Sequence, residues 1–289
     1  MEHGARINLG AAEATPKPLV RSDLSTEELA ELLMQHRAWA APCFKFLESR
    51  FFRNARGHLA VGQHGQAIAF HAPISGSTAS LYLQGDADTL AQAMPDIEFP
   101  KYSYLTCHQS HLDAVKQHFH LRGLQRLQRM EVTPETFHAE PSNAQTLDVT
   151  QLSKINDLYR TDSGAWVNHQ QVVEGPYYGI WERDKLVSIA GTQALSTQHG
   201  VAMVANVLTH RDYRNKGYAT ECVSALTEHL LKEANLVVLN VDPRNKAALH
   251  VYERLGYQDA GPLAEAWAFW KGRTWWERVL SQLYMWFMQ

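Results

Sequence analysis

The sequence predicts an α/β (α+β) protein built as two tandem halves, with an amphipathic helix at its C-terminal end. Three observations predict it. Apolar runs of strand length alternate with helical patterns, and Gly-, Ser- and Asn-rich turns separate them. The order of elements before residue 140 then recurs after it.

The elements follow in order. Ser25 and Glu28 have capping-box spacing, so a helix starts there with Leu29, Leu32 and Leu33 as its apolar face. A second helical patch covers Trp39 to Phe52. Short strands follow at His58–Val61, Ala67–His71 and Ser80–Gln84. Asp86–Met94 reads as a helix, Tyr102–Cys107 as a strand and His111–Phe119 as a helix, and Gly123 turns the chain into Leu124–Val132. Pro134 and Pro141-Ser142-Asn143 read as a linker. In the second half, Leu152–Tyr159 is helical and Ser163–Val173 holds a short helix and loop. Strands come next at Tyr177–Trp181, Lys185–Ala194 and Val201–Leu208. A long helix after Gly217, the strand Leu236–Val241, the helix Asn245–Leu255 and strands up to Trp270 complete it, with Gly256 as an αL cap.

These elements divide the chain into a flexible segment 1–20, a first half 21–140, a second half 141–272 and the helix 273–289. Placing Gly123 on Gly256 aligns the halves and puts Phe119 where Tyr252 stands. The first half then reads as a degenerate copy: it lacks the loop described next.

The most informative stretch is Arg214-Asn215-Lys216-Gly217-Tyr218-Ala219-Thr220. It joins an apolar strand to a helix whose face is Ala219, Cys222, Val223, Leu226, Leu230 and Leu231. The first N–H groups of a helix lack internal partners and carry partial positive charge, which suits an anion. Gly217 lets a phosphate approach the backbone, Ala219 is small, Arg214 and Lys216 add charge, and the Thr220 hydroxyl is a further donor. The stretch reads as a pyrophosphate cradle.

Residues 150–270 resemble the GNAT superfamily of acetyl-CoA-dependent N-acyltransferases. Arg214, Gly217 and Ala219 complete its phosphate-loop signature. A strand ending in Leu239-Asn240-Val241 is followed by Asn245, Ala248 and Tyr252 at the spacing of its second signature. The segment from Gly164 to Trp181 looks most like a branch related to glycine N-acyltransferases. The resemblance implies that each half is a GNAT-like unit, a twisted mixed, mostly antiparallel sheet flanked by helices. It also implies an enzyme that moves an acetyl or other short acyl group from acyl-CoA to the amine of a small-molecule or amino-acid-like acceptor, by direct attack in a ternary complex.

Roles follow from that chemistry. Backbone groups of Asn206, Val207, Leu208 and Thr209 pair with the pantetheine arm, and Asn240 and Asn245 contact the cofactor. Tyr252 is the expected general acid at the leaving sulfur, since thiol and phenol titrate at roughly 8.5 and 10. The strand before the phosphate loop carries Asn206 where family members often have a glutamate. The base is therefore open between Glu174, Asp162 and a water held by Asn206. Trp166, Tyr177 and Tyr178, with Asp162, are candidates for the acceptor pocket.

Composition bounds the alternatives. The hydrophobic fraction of 45% and the charged fraction of 20% describe a soluble globular chain, and a net charge of -3 gives no case for nucleic acid. No stretch is long enough to span a membrane. Cys43, Cys107 and Cys222 have no paired spacing and read as the buried, reduced thiols of a cytoplasmic protein. Fifteen histidines invite a metal, yet His108 and His111, or His118 and His120, lack partners at ligand spacing, and no metal is expected. In the tail, Trp276, Val279, Leu280, Leu283, Trp286 and Phe287 form an apolar stripe that buries itself on the first half or in a homodimer seam. A non-catalytic acyl-CoA sensor or scaffold is the second functional class.

Overall fold

The computed structural model describes residues 16–48, 55–75, 78–162, 165–272, and 276, 277 and 279. Leu280, Leu283, Trp286 and Phe287 of the C-terminal stripe and most of the segment 1–20 lie outside them. Leu19 and Val20, assigned to that flexible segment, instead belong to strand β1 (Leu19–Arg21), which pairs antiparallel with the strand Arg56–Val61.

In the first half, α1 (Thr26–Met34) and α2 (Arg37–Phe44) precede the antiparallel strands β2 (Arg56–Val61), β3 (Gln66–Ser75) and β4 (Thr78–Gly85). The Ser25–Glu28 capping box is formed as the spacing predicts. Helix α3 (Ala87–Ala93), capped by Asp86, leads to β5 (Tyr102–His108), which runs parallel to β4. Helix α4 (Leu112–His118) and β6 (Phe119–Val132) close this half.

The second half repeats the plan. Strand β7 (Gln145–Leu147), α5 (Leu152–Tyr159) and α6 (His169–Glu174) precede β8 (Tyr177–Glu182), β9 (Lys185–Ser196) and β10 (Val201–Thr209). Helix α7 (Tyr218–Leu230), β11 (Leu236–Val241) parallel to β10, α8 (Lys246–Arg254) and β12 (Gln258–Trp270) complete it. The expected last strands are one strand.

The two halves share a single 12-stranded sheet, in the order β1-β2-β3-β4-β5-β12-β6-β11-β10-β9-β8-β7. The last strand of each half is exchanged. β12 inserts between β5 and β6 of the first half, and β6 inserts between β12 and β11 of the second. The sequence pattern predicts mixed sheets flanked by helices but not their fusion, because long-range pairing leaves no local periodicity.

Gly123 behaves differently from its expected role as a turn. It lies inside β6 at φ 62. Two residues, Gly123 and Leu124, oppose the single Ala266, so the glycine makes a β-bulge rather than a reversal. Phe119 accordingly starts a strand and is not a helical counterpart of Tyr252. The better correspondence pairs α4 with α8 and β5 with β11.

Burial follows the helical stripes. Cys222, Val223, Leu226 and Leu230 on α7 are each 0% exposed and pack on β8, β9 and β10. On the opposite face α1 and α2 cover strands of both halves: Leu29, Phe44, Phe70 and Tyr82 join Met203 and Val238 in one core. All three cysteines are buried and unpaired.

Candidate active site

Strands β10 and β11 are in parallel register only from Val201↔Leu236 to Met203↔Val238. Beyond that they part. The cause lies in β10, where Asn206 and Val207 oppose the single Ala190 of β9 and Asn206 takes φ 56. This bulge swings the end of β10 away and leaves a cleft of about 300 Å³ between the strands. Its walls are Val204–Leu208, Leu239–Asp242, Tyr159, Ala165, Asn245, Ala248 and Tyr252.

The bulge is held from below. The Tyr159 hydroxyl donates to the Asn206 carbonyl at 2.7 Å, and Asn206 Nδ2 donates to the Tyr177 hydroxyl at 3.2 Å. Tyr177 is fully buried, so it supports the cleft from behind instead of lining an acceptor pocket.

Past the end of β10 the chain reaches the phosphate loop. Asn215 (φ 61) and Gly217 (φ 83) are left-handed, and Gly217 is the N-cap of α7 with no side-chain cap. Glu221 N–H is the first to find a helical acceptor, the Gly217 carbonyl at 3.1 Å. The N–H groups of Tyr218, Ala219 and Thr220 are thus the bare helix start. No atom lies within 4 Å of where a Gly217 Cβ would stand, so the backbone is open to a diphosphate. Arg214 Nε donates to the Thr209 carbonyl at 3.2 Å, and its guanidinium pairs with Asp162. Asp162 therefore belongs to the phosphate loop and not to an acceptor pocket. The Lys216 ammonium lies over the Tyr213 ring at 5.1 Å, and the Tyr218 hydroxyl donates to Glu182.

Tyr252 reaches the opposite wall from α8. It is 6% exposed, and burial pushes its phenol up to about 12. Its hydroxyl makes no side-chain hydrogen bond among the described residues. Asn245 caps α8 by accepting from Ala248 N–H at 3.1 Å, while also lining the cleft.

Other expectations are corrected. Glu174 accepts from Gln170 at 2.6 Å and lines a separate small pocket beside Lys45, away from the cleft wall. Trp166 is 66% exposed and absent from the cleft wall. The Tyr178 hydroxyl bonds His229 on α7 at 2.9 Å, on the other side of β8. The carboxylate that lines the cleft is Asp242, which sequence reasoning missed. Hydrogen bonds from the Arg244 guanidinium and backbone hold it down at about 2.

The first half lacks this arrangement. Its parallel strands stay paired as far as Leu83↔Cys107, and no phosphate loop follows β4. At the corresponding strand ends lies a shallower cavity of about 750 Å³, bordered by Trp39, Gln84, Asp86 and His108.

Parted parallel strands next to a bare helix start form a cleft that suits an elongated, phosphate-bearing ligand. Residues 146–257 match the Acetyltransferase (GNAT) family. A solved Drosophila protein superposes with a TM-score of 0.62 at 13% identity, over 89% of this chain and all of its own length. A GCN5-related N-acetyltransferase from Sphaerobacter thermophilus gives 0.51 at 12% identity, over 88% of this chain and 96% of its own. One from Kribbella flavida gives 0.51 at 15%, over 70% and 86%. At these identities the likeness is one of fold. No curated protein matches the chain significantly.

Proposed function

We propose that the cleft moves an acetyl or other short acyl group from acyl-CoA to the amine of a small-molecule or amino-acid-like acceptor. The carrying observation is the parting of β10 from β11 directly upstream of the uncapped Gly217 helix start. The diphosphate sits on the N–H groups from Gly217 to Thr220, near Asn215 and Lys216. Arg214, held by Asp162, keeps the loop in shape. The pantetheine arm lies along Val207, Leu208 and Thr209, and a bulge N–H polarises the thioester carbonyl as negative charge develops. Asn240 and Asn245 line the cofactor's other side.

The amine nitrogen attacks the carbonyl carbon, the C–S bond breaks, and the amine's proton leaves for solvent. Tyr252 hydrogen-bonds the departing sulfur. With its phenol near 12, above a thiol's roughly 8.5, it stabilises the thiolate by donation more than by complete proton transfer. No described helix is long and apolar enough to cross a membrane.

One observation favours a second reading, an acyl-CoA sensor without turnover. The carboxylate on the cleft wall, Asp242, is locked to Arg244 and too weak a base to activate an amine. Free-thiol release from acetyl-CoA against a pooled amine panel separates the two. Turnover establishes the enzyme. Calorimetric binding without thiol release on any amine leaves the sensor.

A further inference from the structure

Behind the cleft wall lies a polar cluster assembled from both halves. Glu265 sits on β12, opposite Thr106 of β5 and Gln125 of β6. Its Oε2 accepts from the Tyr104 hydroxyl at 2.9 Å, and its Oε1 accepts from Asn240 Nδ2 at 2.8 Å. Asn240 is the residue that lines the cleft. Its cross-strand neighbour on β6 is Arg129, which is 0% exposed. Arg129 Nη1 lies 3.7 Å from Met203 Sδ, while Arg129 Nε and Nη2 and Asn240 Oδ1 have no hydrogen-bond partner among the described residues. Polar groups buried this deeply are costly unless they are hydrogen-bonded or paired.

We infer that Glu265 is a positioning residue of the acyl-CoA cleft, and that through the chain Tyr104–Glu265–Asn240 the first half of the protein helps to shape that cleft. The inference rests on the acyl-CoA reading above.

The chemistry of the pair sets the geometry. An ionised carboxylate only accepts, so Asn240 must turn its NH₂ toward Glu265, and its Oδ1 is fixed in the opposite sense. Without the carboxylate the amide is free to flip, and the wall between β10 and β11 loses its fixed register. Tyr104 holds the far oxygen of the same carboxylate. A hydroxyl on β5 therefore acts on Asn240 through β12. Strand exchange makes this possible, because it sets Glu265 beside the first half's Tyr104 while it bonds the second half's β11.

The groups facing Glu265 are Tyr104 and Thr106 from β5, Arg129 from β6 and Asn240 from β11. Burial raises its carboxyl above the ordinary range, against the opposing pull of Tyr104 and Arg129. On acidification Glu265 takes a proton at higher pH than a surface glutamate does. Asn240 is then released, and acyl-CoA binding weakens.

The test is calorimetric titration of the full chain with acetyl-CoA across the acid range, for wild type, Glu265→Gln and Tyr104→Phe, with melting temperatures recorded alongside. The wild type is expected to bind, with affinity falling on acidification above the usual glutamate range. Glu265→Gln is expected to bind roughly tenfold more weakly at neutral pH and to lose that acidic limb, and Tyr104→Phe to bind a few-fold more weakly. Tyr104→Phe removes one hydroxyl and decides the matter if Glu265→Gln does not fold. Variants that melt earlier yet bind acetyl-CoA like wild type, with the limb intact, overturn the inference. A wild type that yields no heat instead overturns the acyl-CoA reading on which it rests.

Discussion

The Tyr159 hydroxyl donates to the Asn206 carbonyl at 2.7 Å, and this one bond ties α5 to the bulge at which β10 leaves β11. Tyr159 is 1% exposed, so its hydroxyl exchanges water for this acceptor on folding. Tyr159→Phe leaves the carbonyl without that donor and frees the bulge to relax toward β11. The expected stability loss is about 1–2 kcal/mol by urea denaturation, with a several-fold weaker affinity for acetyl-CoA. An unchanged affinity alongside the lost stability would separate the bulge from the cofactor.

Gly217 and Gly256 both have positive φ, 83° and 88°, yet they meet different surroundings. A Cβ at Gly217 touches nothing within 4 Å, whereas one at Gly256 would stand 1.8 Å from the Thr136 carbonyl oxygen. Gly217→Ala therefore incurs only left-handed strain, about 1–2 kcal/mol, while its methyl occupies the approach to the helix start. Its acetyl-CoA affinity is expected to fall tenfold or more in calorimetry. Gly256→Ala strikes backbone and is expected to lose more than about 3 kcal/mol in urea. Equal effects on binding and stability at the two positions would contradict this contrast.

How much of the fold and site is legible in the sequence depends on the distance between the residues involved. The phosphate loop, the Asn245 cap and the Gly256 cap are local, and Arg214, Gly217, Asn245 and Tyr252 keep in space the order they have in sequence. Glu265 is different. It is a lone charge among Leu263, Trp267 and Phe269, a signal visible in the alternation of β12, but its partners Tyr104 and Asn240 come from other strands. Nothing local announces that β12 will cross into the first half. The same holds for Arg129, which reads as an ordinary strand cation and is buried only because β6 is inserted between β11 and β12. Chain proximity suggests the acceptor side for Glu174 and Trp166, while the fold of the α6 segment turns both elsewhere.

Tyr252 provides a prediction in which stability and chemistry separate by pH. Burial raises its phenol from 10 to about 12, so the folded state favours the protonated form. The associated stability is fully present below pH 10 and is lost as pH rises from 10 through 12. It amounts to about 2–3 kcal/mol, because each pH unit between the unfolded and folded values is worth about 1.4 kcal/mol. Tyr252→Phe cannot ionise, so its melting temperature should fall less steeply than wild type over that window, after allowance for the other buried tyrosines, Tyr82, Tyr159, Tyr177 and Tyr257. Below pH 10 the same variant loses only the hydroxyl at the leaving sulfur. Its kcat for thiol release should drop roughly ten- to a hundredfold while KM for acetyl-CoA stays near wild type. Between pH 6 and 9 the wild-type rate should show no limb owed to Tyr252, because the phenol stays protonated throughout. Unchanged turnover in Tyr252→Phe would remove the residue from the chemistry and leave it a buried member of the α8 core.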